Sequence, residues 1–215
     1  MNKGVLLNLP YAGCVWHWAR MLAAQHVVFE AAARYQRRTF RSRTIIMTSS
    51  GKLAISVPVE SDYSLPYNQI HINHDTPWQQ QHQRALLSAY NSTPFYEFYA
   101  DEFTALYSRN YDKIWNFNVD MMHLIAECLG IELKYSLTQE FTTAPDDCLD
   151  LRIAIEPKYQ EKLQEEAMNV PYYQVFNSKF GFVGRLSVLD LLFNMGPEGK
   201  LVLMEMARNL SSQNS

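Results

Sequence analysis

Residues 4–32, "GVLLNLPYAGCVWHWARMLAAQHVVFEAA", decide the fold. "GVLLNL" at 4–9 is a short apolar run that stops at Pro10, a residue unable to donate to a β-ladder, and it reads as a buried strand. "VWHWARMLAAQ" at 15–25 is made of helix formers, and "HVVFEAA" at 26–32 has the β-branched centre of a second strand. Strand, helix and strand in that order are the mark of an α/β layer.

Reading outward from this unit, "RTIIMT" at 43–48, the polar turn "SSGK" at 49–52 and "LAISVPV" at 53–59 predict an antiparallel hairpin, with Gly51 freeing the turn. "NQIHINHD" at 68–75 reads as a further strand. The period then changes from 2 to 3.6. Trp78, His82, Ala85 and Ala89 form a stripe on a helix over 77–91. Phe95, Phe98, Tyr99, Phe103 and Leu106 do the same over 93–109, with Ser92 or Thr93 as N-cap. Ile114, Asn118, Met121, Ile125 and Cys128 mark a third helix over 112–129, closed by Gly130. "IELKYSL" at 131–137 returns to strand alternation, and 138–150 reads as a loop or hinge. "LRIAIEP" at 151–157 and "YYQVF" at 172–176 are further strand candidates, with a polar Lys/Glu stretch between them that is open to helix. Two short helices split by Gly196 and Pro197 finish the chain over 185–210. The expected fold is α/β: a mixed sheet in the N-terminal part covered by a central group of helices, with a smaller C-terminal strand/helix segment. It forms one domain over 1–210, with 211–215 a flexible tail.

A chain of 215 residues with 47% hydrophobic and 19% charged residues buries one sizeable core and is not a disordered polyelectrolyte. Cys14, Cys128 and Cys148 are odd in number and lack C-x-x-C spacing, so neither a disulfide framework nor a zinc knuckle is indicated, and a reducing cytoplasm is the expected setting. "MNKGVLLNLPYAG" is too briefly apolar for a secretory leader, and nothing approaches the ~18 apolar residues of a membrane span. The net charge of −3 argues against nucleic acid as a partner.

Against that charge, "RYQRRTFRSR" at 34–43 holds five arginines in ten residues. If extended, it aims Arg37, Thr39, Arg41 and Arg43 one way and Arg34, Gln36, Arg38 and Phe40 the other. Two readings stand. In one, Arg41 and Arg43 leave a partly buried strand and enter a cleft, where guanidinium forks bind phosphate or carboxylate, while Arg34 and Arg37 merely solvate. In the other, the row is a charged edge strand that deters aggregation. Asn118 on an apolar stripe needs a buried hydrogen-bond partner, which is either a loop backbone or a ligand. Trp78 and His82, one turn apart, set an imidazole beside a large ring, either as a general base or as a satisfied core residue. In "HINHD" at 71–75, strand geometry puts His71 and His74 on opposite faces, so no metal is expected. Ser187 and Asp190 fit a capping box. No dinucleotide, P-loop, nucleophile-elbow or zincin motif is present.

Taken together, "LPYAGCVWHWARML", "YQRRTFRSR", "LAISVPV", Trp78 with His82, "AYNSTPFYEFY", "FN" ending at Asn118, "YYQVF" and "LSVLDLLFNMGPEG" resemble the WbqC-like family of bacterial proteins over nearly the whole length. The resemblance marks Tyr11, Tyr35, Gln36, Arg38, Arg41, Arg43, Trp78, His82, Tyr90, Pro94, Asn118, Gln174, Ser187 and Asp190. Leu9 departs from the pattern, since many relatives have Gln before the proline. The family's link to surface-polysaccharide (O-antigen type) gene clusters implies a transferase acting on a phosphorylated or nucleotide-linked amino sugar. Arg41 and Arg43 would hold the phosphate, with Gln36 and Arg38 beside them, and Tyr35, Trp78 and Tyr90 would stack on rings. Asn118 would contact the ligand and His82 would act as base. The rival expectation is a non-catalytic protein that binds or scaffolds an anionic ligand. The identity of any cofactor is left open.

Overall fold

In the computed structural model, which describes residues 4–60, 62, 64–141, 143–156 and 169–212, β1 (Gly4–Asn8) runs through α1 (Val15–Ala23) into β2 (His26–Glu30). β1 and β2 pair in parallel, with Asn8 level with Glu30 at their carboxyl ends. Every residue of β1 is buried, as a central parallel strand requires. The chain later returns with β5 (Tyr135–Leu137) outside β2 and β6 (Cys148–Asp150) on the far side of β1, giving a parallel sheet in the order β5-β2-β1-β6. β3 (Arg43–Thr48) and β4 (Gly51–Ser56) form the expected antiparallel hairpin as a separate two-stranded sheet.

The α/β class is as the sequence implies, but the strands divide between two sheets, and β6 falls inside the stretch read as a loop. Helices α2 (Trp78–Tyr90), α3 (Tyr96–Tyr107) and α4 (Ile114–Cys128) pack in succession, and α1 lies against α7 (Gly199–Ser212). Between them runs α6 (Val188–Met195), buried from Val188 to Asn194 and touching α1, α2, α3, α4, α7 and β3. A short α5 (Asn177–Phe180) precedes it.

Several local expectations yield to side-chain bonding. Residues 68–75 are not a strand. Tyr67–Gln69 is a 3₁₀ turn, and the following backbone bonds to Asp112 and Pro58 in turn, stitching α4 to the hairpin's exit. Residues 152–156 turn away from the sheet after β6 because Asn8 Nδ2 donates to the Arg152 carbonyl at 2.7 Å and Asp150 Oδ1 accepts from Arg152 N–H at 3.1 Å. Pro157 and most of the polar stretch after it lie outside the described residues. Residues 172–176 are irregular as well. The Gln174 side-chain amide exchanges both hydrogen bonds with Val183, as a strand partner would, and Asn194 Oδ1 accepts from Val175 N–H.

On α3, Phe98 is 74% exposed, and the buried stripe is Phe103, Leu106 and Tyr107. Thr93 closes α2, donating to the Tyr90 carbonyl at 2.6 Å, rather than opening α3. Ser187 does cap α6, its Oγ accepting from Leu189 N–H, but Asp190 does not return to complete a box. Its carboxylate turns inward and accepts from Tyr90, Tyr172 and Gln174 at 3.1, 2.8 and 3.0 Å. α7 continues through Ser212, two residues into the stretch expected to fray.

Candidate functional site

The arginine segment leaves β2 at Glu30, a fully buried carboxylate at the carboxyl edge of the parallel sheet. Its Oε1 accepts from Ala32 N–H, Ala33 N–H and the Thr138 hydroxyl, and its Oε2 accepts from Arg152 at 2.9 Å. These bonds turn the chain at once, so 34–42 is a coil and strand alternation does not govern its side chains. Arg38 has φ 59°, in the left-handed region that breaks an extended path. The coil is then pinned residue by residue. Phe40 N–H donates to Glu156 Oε2 at 2.8 Å and its carbonyl accepts from Tyr11 N–H. The Arg41 carbonyl accepts from Asn118 Nδ2 at 2.7 Å, and the Ser42 carbonyl from Val57 N–H.

That path separates the arginines. Arg41 turns into the protein, 3% exposed, and donates through Nη2 to Asn8 Oδ1 at 2.6 Å; Asn8 Nδ2 in turn reaches Glu156 Oε1. Burial lowers the guanidinium's affinity for its proton and raises that of the Glu156 carboxyl, although the two charges partly offset this for each other. Nε and Nη1 of Arg41 have no hydrogen-bond partner among the described residues.

Arg37, Arg38 and Arg43 instead line one cleft of about 280 Å³ with Tyr35, Ser42, Ser56, Pro58 and Asn73. Among the described residues, no acidic one is in that lining. Neither the Arg38 nor the Arg43 side chain has a hydrogen-bonded or ion-paired partner among the described residues. The Tyr35 hydroxyl and Ser42 Oγ, 2.5 Å apart, make the inner wall, and Arg43 and Ser56 are opposed across the hairpin's open end.

The remaining predicted residues lie elsewhere. Gln36 is exposed, its carbonyl accepting from Thr39 Oγ1, and it does not line the cleft. Trp78 and Tyr90 are core side chains; the Tyr90 hydroxyl lies between Met47 N–H and Asp190, so neither ring is a cleft wall. Asn118 is fully buried and donates to the Arg41 carbonyl and the Tyr67 hydroxyl, holding the arginine coil from beneath.

His82 is 4% exposed. Its Nε2 faces the Ser56 carbonyl at 3.2 Å, which can only accept, so that nitrogen carries the proton, and Nδ1 at 3.0 Å accepts from the Tyr11 hydroxyl. The Tyr107 hydroxyl completes the chain by donating to Tyr11. Burial pushes the imidazole down to about 4. With both nitrogens committed, the geometry does not support a general base at His82; the residue holds the back of the cleft wall through Ser56. His71 and His74 also part company: one meets Asp112 at 2.8 Å and the other the Tyr111 carbonyl.

Arg37, read from the sequence as merely solvating, lines the cleft instead, while Ser42, Ser56 and Asn73 in the cleft and Asn8, Glu30, Arg152 and Glu156 in the network that pins the coil were not picked out from the sequence. Only Asn8 and Glu30 carried a local signal, as polar residues ending otherwise apolar strands. The family model described as the WbqC-like protein family matches residues 8–164, which takes in the cleft and its support and stops short of Gln174, Ser187 and Asp190. No curated protein and no solved structure matches the chain.

Proposed function

The chain belongs to the WbqC-like protein family, and on that premise we propose that its arginine cleft holds the phosphate of a phosphorylated or nucleotide-linked sugar, as part of a transferase of surface-polysaccharide assembly. The observation that carries this reading is the grouping of three guanidiniums with two serine hydroxyls and, among the described residues, no carboxylate, in a chain whose net charge is −3. The Arg38 and Arg43 guanidiniums, without an ion-paired partner among the described residues, repel one another, and an anionic ligand relieves that cost. Arginine forks match phosphate oxygens in pairs, and the paired Tyr35 and Ser42 hydroxyls add polar groups to the same lining. At about 280 Å³ the cleft is at the small end of ligand pockets, the size of a phosphosugar head rather than a whole nucleotide sugar.

A second reading is favoured by one feature of the lining: Tyr35, Arg37, Arg38, Ser42, Arg43, Ser56, Val57, Pro58, Val59 and Asn73 include no group that titrates near neutrality. In that reading the cleft binds a phosphorylated ligand without transforming it. Calorimetric titration with nucleotide sugars, sugar phosphates and inorganic phosphate tests the cleft. Incubation of any ligand found with candidate acceptors and acyl donors, read by mass spectrometry, then separates turnover from binding alone. Failure of all phosphorylated probes to bind would remove both readings.

A further inference from the structure

The amino-terminal edge of the parallel sheet, about 13 Å along β1 from Asn8, carries a constellation that the arginine cleft does not use. Gly4 is level with His26 on one side and with Cys148 on the other. A Cβ on residue 4 would fall 2.2 Å from His26 Nε2 and 2.7 Å from Cys148 Sγ. The imidazole and the thiol therefore meet over a position of β1 that has no side chain, with Nε2 and Sγ 3.1 Å apart. The Asp147 carboxylate approaches the same Nε2 at 3.8 Å, and the ligand atoms of all three residues lie within 4.8 Å of one another.

We propose that His26, Asp147 and Cys148 form a binding site for a borderline-soft divalent cation, zinc first among them. Bond lengths of about 2.0–2.3 Å to N, O and S in a tetrahedron put neighbouring ligand atoms roughly 3.3–3.8 Å apart, and the observed separations need only small side-chain shifts to meet that. Thiolate with imidazole selects zinc over magnesium or calcium, which take oxygen ligands. Three protein ligands leave one position open, and the side chains of His26 and Asp147, 43% and 58% exposed, give access to it from solvent. Binding converts the Cys148 thiol to thiolate and releases its proton to water. The bound ion ties β2 to β6 across β1, so it stabilises the folded state as any ligand of that state does.

The test uses the intact chain and the metal alone. Cobalt(II) should give a thiolate-to-metal charge-transfer band, and zinc should displace it and raise the melting temperature. Cys148→Ser should abolish the band, and His26→Gln should weaken zinc by more than ~10-fold, a loss typical even of an outer-shell partner. Gly4→Ala keeps all three ligands but places a methyl where they converge, and it should weaken zinc likewise. Cys128→Ser, on α4, should change nothing. Absence of the band in the wild-type chain, or its survival in Cys148→Ser, would overturn the proposal.

Discussion

Asn118 holds two structures with one amide: its Nδ2 donates to the Arg41 carbonyl at 2.7 Å and to the Tyr67 hydroxyl at 2.5 Å. Leucine would fit an apolar stripe better in isolation, but it would leave both acceptors buried. Asn118→Leu should therefore cost about 1–3 kcal/mol, read as a lower urea midpoint at unchanged m-value. Arginine identity matters in a different way at each position. Arg43→Lys and Arg38→Lys keep the charge but lose the fork, and each should weaken a phosphorylated ligand about tenfold, near the 1.4 kcal/mol lower end of a charge-assisted hydrogen bond. Arg34→Lys, at an exposed position outside the cleft, should leave binding within twofold by the same titration, since exposed charges contribute under about 1 kcal/mol. Equal affinities across these variants would return the arginines to a solvated edge. Arg41→Lys belongs with Asn118: it should lower stability, because its Nη2 contact with Asn8 lies inside the protein.

At the scale of elements, α6 is the hub on which the helices converge, and its end is set by Gly196. That residue has φ 57° and ψ −139°, and an added Cβ would lie 2.5–2.7 Å from three atoms of the Phe95 ring. Gly196→Ala therefore meets both backbone strain and a ring held at the start of α3 by its N–H bond to the Phe193 carbonyl. A loss of at least about 1–3 kcal/mol is expected from the backbone term alone, measurable by urea unfolding. An unchanged midpoint would mean that the α6–α7 corner relaxes freely. The Asp190 carboxylate, fed by two tyrosines and Gln174, fastens α6 to α2 and to the irregular 172–176 segment. Here a polar network replaces the strand pairing that the local sequence suggests.

For the whole molecule, buried titratable groups act in opposite senses. Burial drives His17 down to about 3 and His82 to about 4, so their contribution to stability is present above about pH 6.5 and is lost as pH falls towards those values. Asp190 is pushed up to about 6 by burial, against its three donors, so its contribution is full below the ordinary carboxylate value and is lost as pH rises through 6. Glu156, also raised by burial, acts in the same sense as Asp190. Replacing Asp190 removes one proton uptake by the native state. Between pH 6 and 4, Asp190→Asn should thus lose stability more steeply than wild type, by about 1.4 kcal/mol per pH unit. Parallel pH profiles for the two proteins would refute the assignment.

The sequence by itself determined the β1–α1–β2 unit, the β3–β4 hairpin, the three central helices and the burial of Asn118, because periodicity, turn residues and caps act over a few neighbouring positions. It also located the arginine-rich segment that contributes half of the cleft lining. Only the tertiary structure decided which arginine faces where. The coil over 34–42 is held by Glu156, Tyr11, Val57 and Asn118, partners distant in sequence that no local period encodes. The same is true of β6, a three-residue strand that exists because β1 offers it a free edge, and of His82, whose two nitrogens are claimed by Tyr11 and Ser56. Local pattern reports which residues prefer burial or a given backbone shape. Which polar atom satisfies which is settled only when distant segments close on one another and exclude water.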